Sequence, residues 1–355
     1  MPPESLVAHV AEQLVRLCRV TGTAPAEPVR LVADVLGDAG PRALAAGPGW
    51  PSDVADDHSP VEFSVAFDRG GPPVLRLLAE AAVADPARVA DLTPALAFLH
   101  RQSGRHKLCL SRLEQVRDLF TTERPQGLFG MWHSLILRDV PEFKVYLNPE
   151  IHGVAASRQV VREALDRLGA GPAYRVVERV LRPADRLTFF ALDLEDAGTA
   201  RIKLYVAQHG ARLDEVAGAA AVVPGIDPAE VTAFCELAAG SAGPYVRRPI
   251  LSSYTFTSGA ARPVGYSVYV PIRSYVADDR EAYDRACTLL ARHGFDPAGL
   301  AAAVAALTRR PLEDGVGLLA HVSLRLGRPR PGVSVYLSSE AYRVSAPVPR
   351  RIAAQ

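Results

Sequence analysis

Cysteine is scarce in this chain. Only Cys18, Cys109, Cys235 and Cys287 occur in 355 residues, far apart from one another. Such spacing builds neither a disulfide framework nor a Cys/His metal cluster, and it fits a reducing compartment, the cytoplasm. Net charge is nearly absent as well, at +1, which argues against a nucleic-acid surface. No apolar run approaches the ~18 residues of a membrane-spanning helix. Met1 to Gly22 lacks a basic start followed by an apolar core, so no signal peptide is expected. Also missing are a P-loop, a Gly-x-Ser-x-Gly elbow and an Asp-Asp-x-x-Asp cluster; Asp278-Asp279 runs on into Arg280, Glu281 and Ala282. Polyphosphate chemistry here would therefore run on Lys and Arg rather than on carboxylate-held magnesium.

What is present is organised around Arg201-Ile202-Lys203-Leu204-Tyr205-Val206. Strict alternation marks a strand, with Arg201, Lys203 and Tyr205 on one face and Ile202, Leu204 and Val206 on the other. Two fixed cations about 7 Å apart suit a polyphosphate better than a single carboxylate. The pattern recurs as Lys144-Val145-Tyr146-Leu147, Ser267-Val268-Tyr269-Val270 and Ser334-Val335-Tyr336-Leu337. The four tyrosines are spaced by 59, 64 and 67 residues, the length of one supersecondary unit used repeatedly.

Periodicity predicts helices over 5–18, 27–36, 86–100, 110–119, 158–168, 174–181, 213–221, 228–239, 280–293 and 297–307. It predicts hairpins from 61–67 with 74–78, 130–137 with 142–147, 187–194 with 200–206, 250–256 with 264–270, and 317–326 with 333–337. The grammar is helix, helix, strand, strand, five times, with no interdomain linker. A composition of 48% hydrophobic and 22% charged residues belongs to a soluble globular protein with a large core. The expectation is one α+β domain over residues 1–355. Ten antiparallel strands would close into a barrel inside a ring of helices, which removes every sheet edge. Apolar strand residues would face the helices, and polar ones a solvent-filled lumen.

Candidate lumen cations are Arg76, Lys144, Arg201, Lys203 and Arg325; unpaired inside, they would be costly without a bound polyanion. Acids on these faces look few. Tyr146, Tyr205, Tyr269 and Tyr336 would ring the lumen with phenol faces able to shelter a carbocation by cation–π attraction. Glu62 alternates with Phe63 and Val65, so it would face the lumen and accept a bond from an acceptor N–H, or else pair with a lumen cation. His133 is a candidate general base or a structural imidazole.

The stretches Asp56-Asp57-His58-Ser59-Pro60-Val61-Glu62-Phe63-Ser64, Phe143-Lys144-Val145-Tyr146-Leu147-Asn148-Pro149, Arg201 to Val206, Tyr269-Val270-Pro271-Ile272-Arg273-Ser274-Tyr275 and Val333 to Tyr336 together resemble the aromatic prenyltransferases of the dimethylallyltryptophan synthase family, with the ABBA barrel fold. The resemblance implies transfer of a dimethylallyl group from dimethylallyl diphosphate to the indole of L-tryptophan or a tryptophan derivative. Glu62 would bond the indole N–H, and the five cations would bind diphosphate. The four tyrosines would form the shield, and His133 would take the ring proton. No metal is implied as required, with Mg²⁺ or Ca²⁺ as modest stimulants; neither nucleic acid nor membrane is implied as a partner. Ser267 stands where fungal members often carry Gln, and His321 where the family often offers another Tyr. Alternatives are another acceptor (an indole-containing cyclic peptide, an indolactam or a phenol), geranyl diphosphate as donor, or a non-catalytic anion- or lipid-binding barrel. Glu62 speaks against the last, since a carrier of prenyl diphosphate needs no N–H acceptor beside its cations.

Overall fold

The structure, a computed structural model, describes residues 4–83, 90–196, 198, 200–327 and 331–349. Ten strands are named in chain order: β1 Val61–Asp68, β2 Val74–Glu80, β3 Met131–Leu137, β4 Glu142–Leu147, β5 Asp185–Asp193, β6 Ile202–Gln208, β7 Ile250–Phe256, β8 Gly265–Val270, β9 Leu319–Gly327 and β10 Gly332–Ser338. Each pairs antiparallel with its sequence neighbours, and β1 pairs with β10 from Glu62↔Ser338 to Asp68↔Gly332. That last pairing closes the barrel. Helix pairs precede or separate the hairpins: α1 Leu6–Thr21 and α2 Ala26–Leu36, α3 Thr93–Ser103 and α4 Ser111–Val116, α5 Ser157–Arg167 and α6 Gly171–Glu178, α7 Leu213–Ala220 and α8 Pro228–Ala239, α9 Asp279–Arg292 and α10 Ala298–Leu307. Helix α1 packs against both α2 and α10, so the outer layer also returns to its start.

Local chemistry sets these boundaries. The Ser5 hydroxyl accepts from Ala8 N at the start of α1, and Gly22 ends it at φ 71°, a left-handed position that costs glycine little. Asp227 caps α8 and Asp278 caps α9 through bonds to Ala229 N and Glu281 N. The Asp278-Asp279 pair is thus absorbed by structure: the Asp279 carboxylate accepts from Gly317 N and Leu319 N and pairs with Arg310. Helix α6 begins at Gly171, earlier than the pattern suggests, because Pro172 fits a first helical turn. The helix expected over 86–100 is found as Thr93–Ser103; residues 84–89 lie outside the described residues.

The core is the layer between barrel and helices. Phe63, Val65, Ile202, Leu204, Val206, Val268, Val335 and Leu337 all lie in it, each 1% exposed or less. Each such side chain contributes roughly 1.5–3 kcal/mol on burial. Their alternates face inward, as the pattern requires. A slip of one residue on β6 would drive Lys203 and Tyr205 into the apolar layer, so burial on the outer face fixes the inner face too.

His133 is on the outer side. It shares a face of β3 with Met131 and Leu135, is fully buried, and packs on Phe98 of α3 at 4.7 Å between ring centroids. Neither ring nitrogen has a hydrogen-bond partner among the described residues. The general-base role expected for His133 is therefore corrected: even counting from Leu135 puts the imidazole among helix-facing residues. Burial depresses its pKa to about 3. The unfolded chain, with an ordinary histidine, takes up a proton below about 6.5 that the folded chain refuses, so this residue costs stability as pH falls through that value. His133→Leu should therefore keep turnover and product unchanged. In denaturant titrations at pH 5 it should be about 2 kcal/mol more stable relative to wild type than at pH 8; a loss of activity with intact fold would return His133 to the chemistry.

Candidate active site

The inner face divides along the barrel axis. One mouth is formed where β1, β8 and β10 approach Asp68, Gly265 and Gly332, where β9 ends at Gly327 and where the β5–β6 hairpin turns. It carries Asp68, Arg325, Arg201, Asp193 and Lys144, with Arg76 and Lys203 further in. The other mouth is formed by the start of β1, β3, β7 and β9. It carries Glu62, Trp132, Leu251 and His321.

At the first mouth the five expected cations gather, but three are paired. Asp193, opposite Lys144 in register, accepts from Lys144 Nζ at 2.8 Å and from Arg201 Nε at 2.6 Å. Burial opposes its ionisation, yet these two cations pull its pKa down to about 2. Arg325 pairs with Asp68. Gly332 sits opposite both in register, and a Cβ there would lie 2.8 Å from Arg325 Nη2; glycine leaves room for the pair. The sequence reading missed Asp193 and Asp68. Each ends a strand beside a hairpin turn, where an acid ordinarily reads as a solvated loop residue. Arg201 lies one residue before β6 rather than within it. Among the described residues, no carboxylate reaches Lys203 or Arg76, and the Arg76 Nε is buried without a partner. Burial, aided by Lys144, Arg325 and Arg201, lowers the Lys203 pKa to about 8.

Between the mouths runs a belt of rings. Tyr146 and Tyr205 lie 5.5 Å apart by ring centroid, Tyr205 and Tyr269 5.5 Å, and Tyr269 and Tyr336 6.0 Å. The Tyr146 and Tyr205 hydroxyls bond at 3.1 Å. All four expected tyrosines are brought together. Tyr269 is buried, which opposes ionisation, yet the Lys203 ammonium beside it pulls its phenol down to about 7. Phe189 and Trp132, absent from the sequence-based set, extend the belt toward the second mouth at 5.8 Å and 5.2 Å.

Glu62 stands at that second mouth, 6% exposed, with no ion pair to any of the five cations. Burial raises its pKa to about 8, and Arg273 pulls the other way. Beside it a second acid, Glu80, accepts from Trp50 Nε1 at 2.8 Å and Trp132 Nε1 at 3.1 Å. The chain's two tryptophans thus converge on one buried carboxylate, which fixes the indole wall of the lumen. His321 closes the belt, 6.1 Å from Tyr336 by centroid. Its Nδ1 faces Arg273 Nη1 at 3.5 Å. A guanidinium has only donors, so this nitrogen is the acceptor and the neutral ring keeps its proton on Nε2. Burial, then Arg273 and Arg248, holds the His321 pKa well below the ordinary value. Among the described residues, no group of His, Cys, Asp and Glu could hold a metal ion.

Residues 29–302 match the tryptophan dimethylallyltransferase family. This chain belongs to that family. As a tryptophan dimethylallyltransferase it is similar to the 6-dimethylallyltryptophan synthase of Micromonospora olivasterospora, solved in complex with DMASPP and Trp, at 56% identity over 97% of this chain and 99% of that one, with a TM-score of 0.94. The 5-dimethylallyl tryptophan synthase of Streptomyces coelicolor matches at 36% identity over 99% and 100%, TM-score 0.90. PriB, solved with product diphosphate, matches at 36% over 97% and 98%, TM-score 0.89. The dimethylallyltransferase barrel is the expected ABBA architecture, and the chain is a prenyltransferase.

Asp193 tests the electrostatics of the first mouth. Replacing it with Asn leaves Lys144 and Arg201 sharing a shielded space without their common anion, which should cost about 3 kcal/mol of stability. Its depressed pKa gives stability that is present above about 4 and lost as pH falls toward about 2. Urea unfolding of Asp193→Asn at pH 7 checks this; an unchanged midpoint would show that the triad carries no net energy.

Proposed function

We propose that this chain transfers the dimethylallyl group of dimethylallyl diphosphate to carbon 6 of L-tryptophan. The observation that carries the reading is the polarised lumen: among the described residues, Lys203 and Arg76 meet no carboxylate at one side, Glu62 pairs with none of the five cations at the other, and a tyrosine belt lies between them. Support for the position on the ring is the identity to 6-dimethylallyltryptophan synthases, 56% and 55%, against 36% to the 5-dimethylallyl enzyme.

In this reading Arg76, Lys144, Arg201, Lys203 and Arg325 bind the diphosphate. Its C–O bond breaks, the bonding pair leaves with oxygen, and the cations stabilise that charge as it develops. Tyr146, Tyr205, Tyr269 and Tyr336 face the allyl cation, each well-placed ring contributing ~0.5–2 kcal/mol, and exclude the water that would quench it. Arrival of the diphosphate offsets Lys203 and so weakens the pull that lowers the Tyr269 pKa. Glu62 accepts the indole N–H and raises the electron density of the ring. The ring forms a C–C bond to the allyl cation, then gives up its proton to the diphosphate left in the lumen and regains aromaticity.

Among the described residues, two carboxylates, Asp193 and Asp68, pair with three of the five cations, Glu195 and Glu142 act on Arg201 from nearby, and Lys203 and Arg76 meet no carboxylate, an arrangement that suits a diphosphate. We therefore read the reaction as metal-independent, with Mg²⁺ or Ca²⁺ as modest stimulants. We read residues 1–355 as one catalytic unit, since the first and last hairpins share a ladder, and we place it in the cytoplasm, in keeping with four unpaired cysteines.

Incubation of L-tryptophan with dimethylallyl diphosphate in excess EDTA should yield 6-dimethylallyltryptophan, identified by NMR. A 5-substituted product would overturn the position, and activity abolished by EDTA but restored by Mg²⁺ would overturn the cation-only account.

The pKa shifts give a second test. Ionised Glu62 is the stronger acceptor, so kcat/KM for tryptophan at saturating donor should rise with pH through about 8. Glu62→Gln should flatten that limb and lower turnover at least about tenfold. For the donor, kcat/KM should fall as pH rises through about 8, where free Lys203 loses its charge. Lys203→Arg should carry that limb out of range, because a guanidinium does not titrate there.

A further inference from the structure

Beside the first mouth lies a buried charge that the transfer chemistry does not use. Arg112 stands on α4, 5% exposed, and comes from the helix layer to the β5–β6 hairpin. Its Nη1 donates to Ala200 O at 2.7 Å, one residue before Arg201. Just before α4, Cys109 N donates to Leu194 O at 2.8 Å, one residue after Asp193. The segment 109–112 therefore holds both arms of the hairpin that carries Asp193 and Arg201. One donor is left over. The Arg112 Nη2 is buried and, among the described residues, has no hydrogen-bond partner. Holding a carbonyl takes a single donor, and an idle guanidinium nitrogen in a dry place is costly. Burial pulls the Arg112 pKa down, and Asp193 is the first charge that opposes it. Asp193 is thus within electrostatic reach of Arg112, while its own oxygens engage Lys144 and Arg201.

We propose that Arg112 is a positioning residue for donor binding: its idle Nη2 takes over the Asp193 carboxylate when diphosphate draws Lys144 and Arg201 away. The inference rests on the reading of the first mouth as a diphosphate site and names what becomes of the anion already resident there. Lys144 and Arg201 cannot serve two anions fully. Once both turn to phosphate oxygens, Asp193 is a shielded carboxylate without its partners, and it faces a second anion across a short gap. Both effects weaken donor binding. A new partner on the side away from the lumen removes both, because it pairs the carboxylate and draws it off the diphosphate. Arg112 meets these requirements. It reaches the hairpin from the outer layer, and its Nη1 is already fixed on Ala200 O. The rigid fork of the guanidinium then leaves Nη2 oriented at little further entropic cost. In the empty protein that donor has nothing to do, and the bound state gives it a use.

Calorimetric titration with inorganic diphosphate reads the donor site without turnover. Arg112→Gln should weaken diphosphate binding by at least about tenfold, the worth of one charge-assisted contact. It should raise KM for dimethylallyl diphosphate by a similar factor and leave KM for tryptophan in place. Arg112→Lys, which keeps the charge, should restore part of the loss. Coupling to Asp193 is the readout that a merely structural clamp would not move. In an Asp193→Asn background there is no carboxylate to hand over, so Arg112→Gln should change diphosphate affinity by less than about twofold. An equal loss in both backgrounds would assign Arg112 to holding Ala200 alone and overturn the proposal. Should Arg112→Gln fold poorly, crystal structures of the wild type with and without diphosphate decide. The complex should bring an Asp193 oxygen within about 3.2 Å of Arg112 Nη2. A complex in which Asp193 keeps Lys144 and Arg201 and leaves Nη2 idle overturns the proposal. Failure of the wild type to bind inorganic diphosphate at all overturns the reading of the first mouth, and this inference with it.

Discussion

Closure of β1 on β10 is the constraint on which the rest depends. In an open sheet a strand can slide and its side chains change faces. In a closed antiparallel barrel each strand is held by two neighbours, and each hairpin inherits the register of the last. The energy for this comes from the outer face, where phenylalanine, valine, leucine and isoleucine meet the helices. The inner face takes no part in that choice. It is thereby free to carry lysine, arginine, glutamate and tyrosine, which a packed core would reject. Function occupies the face that does not set the register.

That freedom is used to set opposite chemistries at the two ends of one tube. Positive charge gathers where the donor leaving group would lie, and a carboxylate waits where the acceptor would lie. The tyrosine belt keeps them apart. Without that separation Glu62 would fall to the nearest lysine and both groups would be spent. The acids at the cation mouth, Asp193 and Asp68, sit at strand ends and engage Lys144, Arg201 and Arg325; among the described residues, Lys203 and Arg76 deeper inside meet no carboxylate.

Most of the fold was legible in the sequence because period-2 alternation is a local signal. Ile202, Leu204 and Val206 announce their own face, and Lys203 and Tyr205 follow from them. The recurrence of Tyr146, Tyr205, Tyr269 and Tyr336 then reveals how many such strands share one lumen. His133 shows where local reading fails. A histidine alternating with leucines belongs to the leucine face, but its chemistry suggested the other. The partners of the cations were hidden for a different reason. Asp193 meets Lys144 across a ladder between neighbouring hairpins, and Asp68 meets Arg325 across the seam that closes the barrel. No window along the chain contains either pair. Glu80 was hidden likewise, its role set by Trp50, which lies outside the barrel strands, and by Trp132 on the next strand.

Asp193 has a consequence for what happens after the bond is made. A chamber of five bare cations would hold diphosphate so tightly that the enzyme would become a trap for its own by-product. Here Lys144 and Arg201 always have somewhere to go. In the proposed reaction the resident carboxylate would reclaim them as diphosphate departs, and the loss of one anion would be partly met by the return of another. The empty state already pairs Lys144, Arg201 and Arg325 with carboxylates, so in that reading the exit step would climb a shallower slope. A carboxylate that weakens the grip on the leaving group is, for an enzyme that must turn over, part of the means of letting go.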